Sequence, residues 1–126
     1  MIVNGVNLPD PDVADAAFIE VFENAQEKCV SKMDAVAKEN IKWSAKIRRQ
    51  CEAIFDFFEE VFGEGTAKKV FGDSVNLKTC VDAYAEASNG IKALDRDIAS
   101  YFRGKAEGFN REQRRHGNKN KKKRRK

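Results

Sequence analysis

Residues Phe55–Gly72 read Phe-Asp-Phe-Phe-Glu-Glu-Val-Phe-Gly-Glu-Gly-Thr-Ala-Lys-Lys-Val-Phe-Gly. Five of the nine phenylalanines fall in this window, together with three glycines where helices can stop. The stretch reads as a helix ending at Gly63, a tight turn through Gly65, a short helix capped by Thr66, and a second stop at Gly72. Phe55, Phe58, Phe62, Gly63, Gly65, Thr66, Phe71 and Gly72 therefore form the expected structural motif. A buried phenylalanine cut to alanine costs about 3–5 kcal/mol, so the fold should be most sensitive here.

Upstream, Ile47, Cys51, Ile54, Phe58 and Val61 step by four, three, four and three, which predicts a helix from about Ser44 to Phe62. Phe55 and Phe62 widen its stripe, as suits a helix packed on more than one neighbour. Phe57 and Trp43 lie off that stripe and are the expected exposed anchors for a protein partner. Further upstream, Asp12 is the expected N-cap of a first long helix whose face carries Phe18, Val21, Phe22, Ala25, Cys29, Met33 and Val36. A break is expected between Asn40 and Ser44. At the start of the chain, Val3-Asn4-Gly5-Val6 suits a small hairpin, because Asn-Gly tolerates the two positive φ angles of a type I′ turn. Pro9 and Pro11 close that segment.

Downstream, Asp73, Ser74 and Asn76 are cap candidates for a last helix with Leu77, Cys80, Tyr84, Ala87, Ile91, Leu94, Ile98 and Tyr101 on one face. Asn89-Gly90 interrupts its composition but not its phase. Phe102 ends the apolar signal, and Gly104 and Gly108 bracket an expected linker. From Asn110 on there is no apolar residue, so this segment cannot offset the entropy of folding and is expected to be disordered. The fold class is therefore all-α: a helical hairpin or small bundle of about three long helices plus one short helix. A minor N-terminal β-hairpin occupies residues 1–11, the helical domain 12–103, and a disordered basic tail 104–126.

Formal net charge is +4 over 126 residues, but it is unevenly spread. Residues 111–126 hold ten bases (Arg111, Arg114, Arg115, Lys119, Lys121, Lys122, Lys123, Arg124, Arg125 and Lys126) against Glu112, a net +9. The other 110 residues carry 14 bases and 19 acids, a net −5. The tail suits nonspecific nucleic-acid binding through phosphate contacts, with no interleaved aromatic to stack on bases. It equally suits an acidic protein partner, the acidic body of another copy, or a solubilising role.

Other constellations have plainer readings. Gly63-Glu64-Gly65-Thr66 lacks the Lys-Ser/Thr and the longer glycine-rich loop of a phosphate loop, so it reads as a cap and turn. Cys29, Cys51 and Cys80 lie on apolar stripes, and His116, the sole histidine, lies in the tail. The cysteines read as small core residues rather than nucleophiles. Asp56, Glu59, Glu60 and Glu64 could meet a divalent cation but punctuate an aromatic face, so a solvated surface is expected. No catalytic residue, cofactor or metal is expected. An odd cysteine count excludes an even disulfide framework. The first ten residues lack the basic and apolar regions of a signal peptide. No run approaches the ~20 apolar residues of a membrane span, so the expectation is a soluble protein of a reducing cytoplasm.

Three segments carry a family resemblance: Phe57 to Thr66 with its continuation through Phe71-Gly72-Asp73 and Asn76-Leu77, the opening Val3-Asn4-Gly5-Val6, and Asn110-Arg111-Glu112-Gln113-Arg114-Arg115. The chain resembles a small, largely uncharacterised family of phage and prophage proteins from Gram-positive bacteria. The resemblance implies a protein encoded among phage structural genes and acting in the host cytoplasm. In length, helicity and basic tail it is similar to tail assembly chaperones, which escort the tape measure protein before the tail tube polymerises. The implied partners are a tape measure or tube protein and further copies of the chain. A nucleic-acid-binding accessory protein acting through the tail is the alternative.

Overall fold

The structure is a computed structural model that describes the backbone of residues 1–124 and the side chains of residues 1–108. Its elements are β1 (Ile2–Val3), β2 (Val6–Asn7), α1 (Ala16–Lys38), α2 (Trp43–Phe62), α3 (Thr66–Phe71) and α4 (Leu77–Arg124). The all-α class with a minor N-terminal hairpin is thus the observed one. The chain divides into two units, Met1–Lys92 and Ala93–Lys126.

In the first unit, β1 and β2 pair antiparallel with Val3 opposite Val6. Asn4 (φ 50°) and Gly5 (φ 74°) supply the two positive angles the turn requires. Two-residue strands are too short to stand alone. The Asn4 side-chain amide donates to the Val70 carbonyl at 2.9 Å, and the Asn4 N–H donates to the Glu86 carboxylate at 3.2 Å. Val3 within the hairpin and Leu8 just after it are buried.

Helix α1 starts three residues later than expected. Asp15, not Asp12, is its N-cap and accepts from the Ala17 N–H at 3.1 Å. Asp12 instead closes the preceding turn by accepting from the Ala14 N–H. The buried face is Phe22, Ala25, Cys29 and Val36, while Val21, one position from Phe22, is exposed. The corner to α2 lies at residues 39–42, and Ser44 falls inside α2 rather than capping it. An Arg49–Glu39 ion pair and a Lys46 Nζ bond to the Ala37 carbonyl tie that corner.

Helix α2 is the centre of the unit. Cys51, Ala53, Ile54, Phe57, Phe58 and Val61 are buried along it. Phe57 corrects the expected exposure: it is only 1 % exposed. Its ring lies 4.8 Å from Tyr84 of α4, 5.5 Å from Phe58 and 6.1 Å from Phe22 of α1. Neighbouring helices close over two sides of α2, so a residue beside the main stripe is also inside. Phe58 continues the cluster to Phe62 and Phe71, and Phe55 also meets Phe71.

The turn after α2 keeps its predicted glycines but divides their roles differently. Gly63 has φ 106° and ψ 164°, outside the left-handed helical region, whereas Gly65 (φ 87°, ψ −6°) is left-handed and caps α3. The Thr66 hydroxyl donates back to the Gly63 carbonyl at 2.7 Å instead of capping the helix. The free N–H groups of α3 are met by Glu59, whose carboxylate accepts from Gly65 at 2.6 Å and Ala67 at 3.3 Å. Asn76 accepts from the Thr79 N–H at the start of α4.

Helix α4 passes through Asn89-Gly90 without a break. Gly90 faces the Met1 side chain, which leaves no room for a Cβ. Cys80, Ala83, Ala87, Ser88 and Ile91 are buried along the first unit's part of α4. In the second unit, the linker expected between Gly104 and Gly108 is helix instead. The remainder of the expected disordered tail, residues 109–126, has its side chains outside the described residues.

Candidate interaction surface

The features that suggested chemistry in the sequence are absorbed by structure. The N–H groups that a phosphate would need here are already engaged: Gly65 and Ala67 donate to the Glu59 carboxylate, and Gly63 and Thr66 to the backbone carbonyls of Glu59 and Gly63. The remaining acids do not converge: Asp56 pairs with Lys32 at 3.3 Å and Glu60 with Lys28 at 3.6 Å, both exposed. Among the described residues no group of His, Cys, Asp and Glu is arranged to hold a metal ion. Among the described residues, too, no helix is long and apolar enough to cross a membrane.

The three cysteines are free and buried. Burial pushes the Cys29 thiol up to about 11 and the Cys80 thiol to about 12, and it raises Cys51 as well. The Lys32 charge pulls Cys29 back only in part. Thiols held protonated in this way are poor nucleophiles, and they pack as small apolar side chains.

Apolar side chains remain outside once the core is closed. Trp43, the first residue of α2, is 81 % exposed, as expected for an anchor. Val30 on α1 is half exposed and lines, with Glu23, Gln26, Glu27 and Tyr84, a shallow depression of about 530 Å³. Gln26 bridges α1 to α4 by donating to the Ser88 hydroxyl at 3.3 Å. Burial raises the Tyr84 phenol, so it stays a neutral hydroxyl through the physiological range. Sequence reasoning missed this depression. Its only local signal was Val30, an apolar residue off the expected stripe of α1 with Gln26, Glu27 and Asp34 at helical spacing around it.

In the second unit, Tyr101 and Phe102 stand 61 % and 63 % exposed, with their rings 6.0 Å apart. The Lys105 ammonium lies 5.4 Å over the Tyr101 ring. The tail bases Arg111 to Lys126 belong to the residues whose side chains are not described.

Residues 4–126 match the pattern of a single family. The chain belongs to DUF6673, a family of unknown function. No curated protein and no solved structure matches it. In this DUF6673 protein the geometry leaves open, in the first unit, Trp43 and the Val30–Tyr84 depression with its acidic rim and, separately, in the second unit, the aromatic pair of α4.

Proposed function

We propose that this DUF6673 protein is a non-enzymatic binding protein of phage morphogenesis, similar to a tail assembly chaperone, that holds a helical client against its exposed apolar side chains. The observation that carries this reading is Trp43, a large aromatic 81 % exposed at a helix start while the other aromatics of the same helix are packed. Tryptophan is enriched among the residues that dominate binding energy at protein interfaces. The phage assignment draws its support from the sequence resemblance of the Phe57–Asn76 and Asn110–Arg115 segments.

In this mechanism the apolar side chains shield an aggregation-prone helical segment of a tape measure protein, further copies extend the surface, and the basic tails hold the client by charge until tube subunits displace the complex. Co-expression with a phage tape measure protein tests it. The expected result is co-purification and a larger soluble fraction of the client, both reduced by Trp43→Ala. Absence of both binding and any change in client solubility would sink the reading.

The +9 segment at residues 111–126 favours a second reading, a nucleic-acid-binding accessory protein. Truncation after Asn110 should then abolish a strongly salt-dependent affinity for nucleic acid while leaving helicity of residues 12–103 intact. Equal binding by the truncated chain would reject that alternative.

A further inference from the structure

We propose that residues 94–105 of α4 are a self-pairing segment that takes the same segment of a second copy in antiparallel orientation. Along α4, Cys80, Tyr84, Ala87, Ile91, Leu94, Ile98 and Tyr101 alternate steps of four and three without a slip. That period of 3.5 residues is the one that keeps a seam facing a partner helix. Cys80, Ala87 and Ile91 of this series are buried. Leu94 and Ile98 are only half-buried, and Tyr101 and the adjoining Phe102 are more than half exposed. At 100° per residue, Leu94, Ile98, Tyr101 and Phe102 fall within about a third of the helix circumference. They form a stripe rather than scattered surface residues.

The charges along the segment identify the occupant. Asp95 borders the stripe near its start, and Lys105 lies on it near its end. A two-fold interface sets a patch against itself. Parallel pairing would place Lys105 opposite Lys105 in the seam. Antiparallel pairing centred at residue 100 places Asp95 opposite the second copy's Lys105 and Ile98 opposite its Phe102. The complement of each end is thus already present in the chain, which selects a second copy over a foreign helix. The Lys105 stem also covers apolar surface, since its ammonium already stands over Tyr101. This pairing does not depend on the client proposed above.

Sedimentation equilibrium of the full chain over a range of concentrations tests the proposal. The expected result is a reversible monomer–dimer equilibrium. Phe102→Glu, at a position already 63 % exposed, should raise the dissociation constant by about tenfold or more without changing the thermal melt at concentrations where the wild-type chain is monomeric. Asp95→Lys and Lys105→Glu should each weaken the dimer, and the two together should restore it. A chain that stays monomeric throughout, or a dimer indifferent to Phe102→Glu, overturns the proposal. A dimer that the double reversal fails to restore overturns the antiparallel pairing.

Discussion

Phe57→Ala is the most informative single change. The ring is 1 % exposed and touches three aromatic neighbours on α1, α2 and α4. A phenylalanine side chain removes roughly 150–200 Å² from water, which at about 25 cal/mol per Å² is about 4–5 kcal/mol for the whole group. Truncation to alanine leaves a cavity between three helices that can collapse only in part, so a loss of about 4 kcal/mol is expected. Against a total stability of about 5–15 kcal/mol for a domain of ordinary size, that leaves a narrow margin. Phe57→Leu keeps most of the volume and should cost about 1–1.5 kcal/mol. Trp43→Ala, at the exposed start of the same helix, should fall within about 0.5 kcal/mol of wild type. Urea unfolding followed by far-UV circular dichroism, with linear extrapolation, gives all three values. If Phe57→Ala loses no more than Trp43→Ala, the ring is not packed between helices, and the account of α2 as a helix closed on two sides is wrong.

Glu59→Ala should cost about 1–2 kcal/mol, because two N–H groups at the start of α3 lose a charged acceptor. Hydrogen exchange at Gly65 and Ala67 should speed up with it, and unchanged exchange there would contradict the cap. Cys29 and Cys80 hold their protons in the folded state well above the usual value of 9.0, chiefly through burial. The unfolded thiols ionise first, so stability should be level below about pH 9 and fall as pH rises toward 11 and beyond. Urea melts across that range check the sign, and Cys29→Ala should remove part of the decline; a decline of equal depth in that variant would remove the thiol from the explanation. Gly90→Ala should gain less than the ~1 kcal/mol that the exchange earns in an open helix, since the new methyl must displace the Met1 side chain. Faster exchange of the Leu8 N–H, which donates to the Met1 carbonyl at 2.7 Å, would report that displacement; a full gain with unchanged exchange would show that Met1 does not pack there.

Much of the architecture was legible in the residues because its causes are local. The three-and-four spacing of Cys51, Ile54, Phe58 and Val61 sets the buried stripe of α2 wherever the helix lies. Asn4-Gly5 makes its turn because few other pairs tolerate two positive φ angles, and Gly72 ends α3 for a related reason. The same locality explains the cap of α4 at Asn76. The candidate surface was only half legible. Trp43 and Phe57 looked equivalent beside the stripe, yet one is 81 % and the other 1 % exposed.

What separated them lies outside the helix that carries both. Phe22 and Tyr84 come from positions 35 residues before and 27 residues after Phe57, and nothing near Phe57 in the chain announces them. The Glu59 carboxylate at α3, the Val30–Tyr84 depression and the fit of Gly90 against Met1 are of the same kind. By itself, then, the sequence determined most of the helices, the glycine turns and the main apolar stripe of each helix, because periodicity and backbone angles act within a few residues, while it misplaced the cap of α1 and expected a linker where α4 continues past Gly104. The tertiary structure alone decided which flank of each helix faces inward, because burial depends on neighbours that only folding brings together.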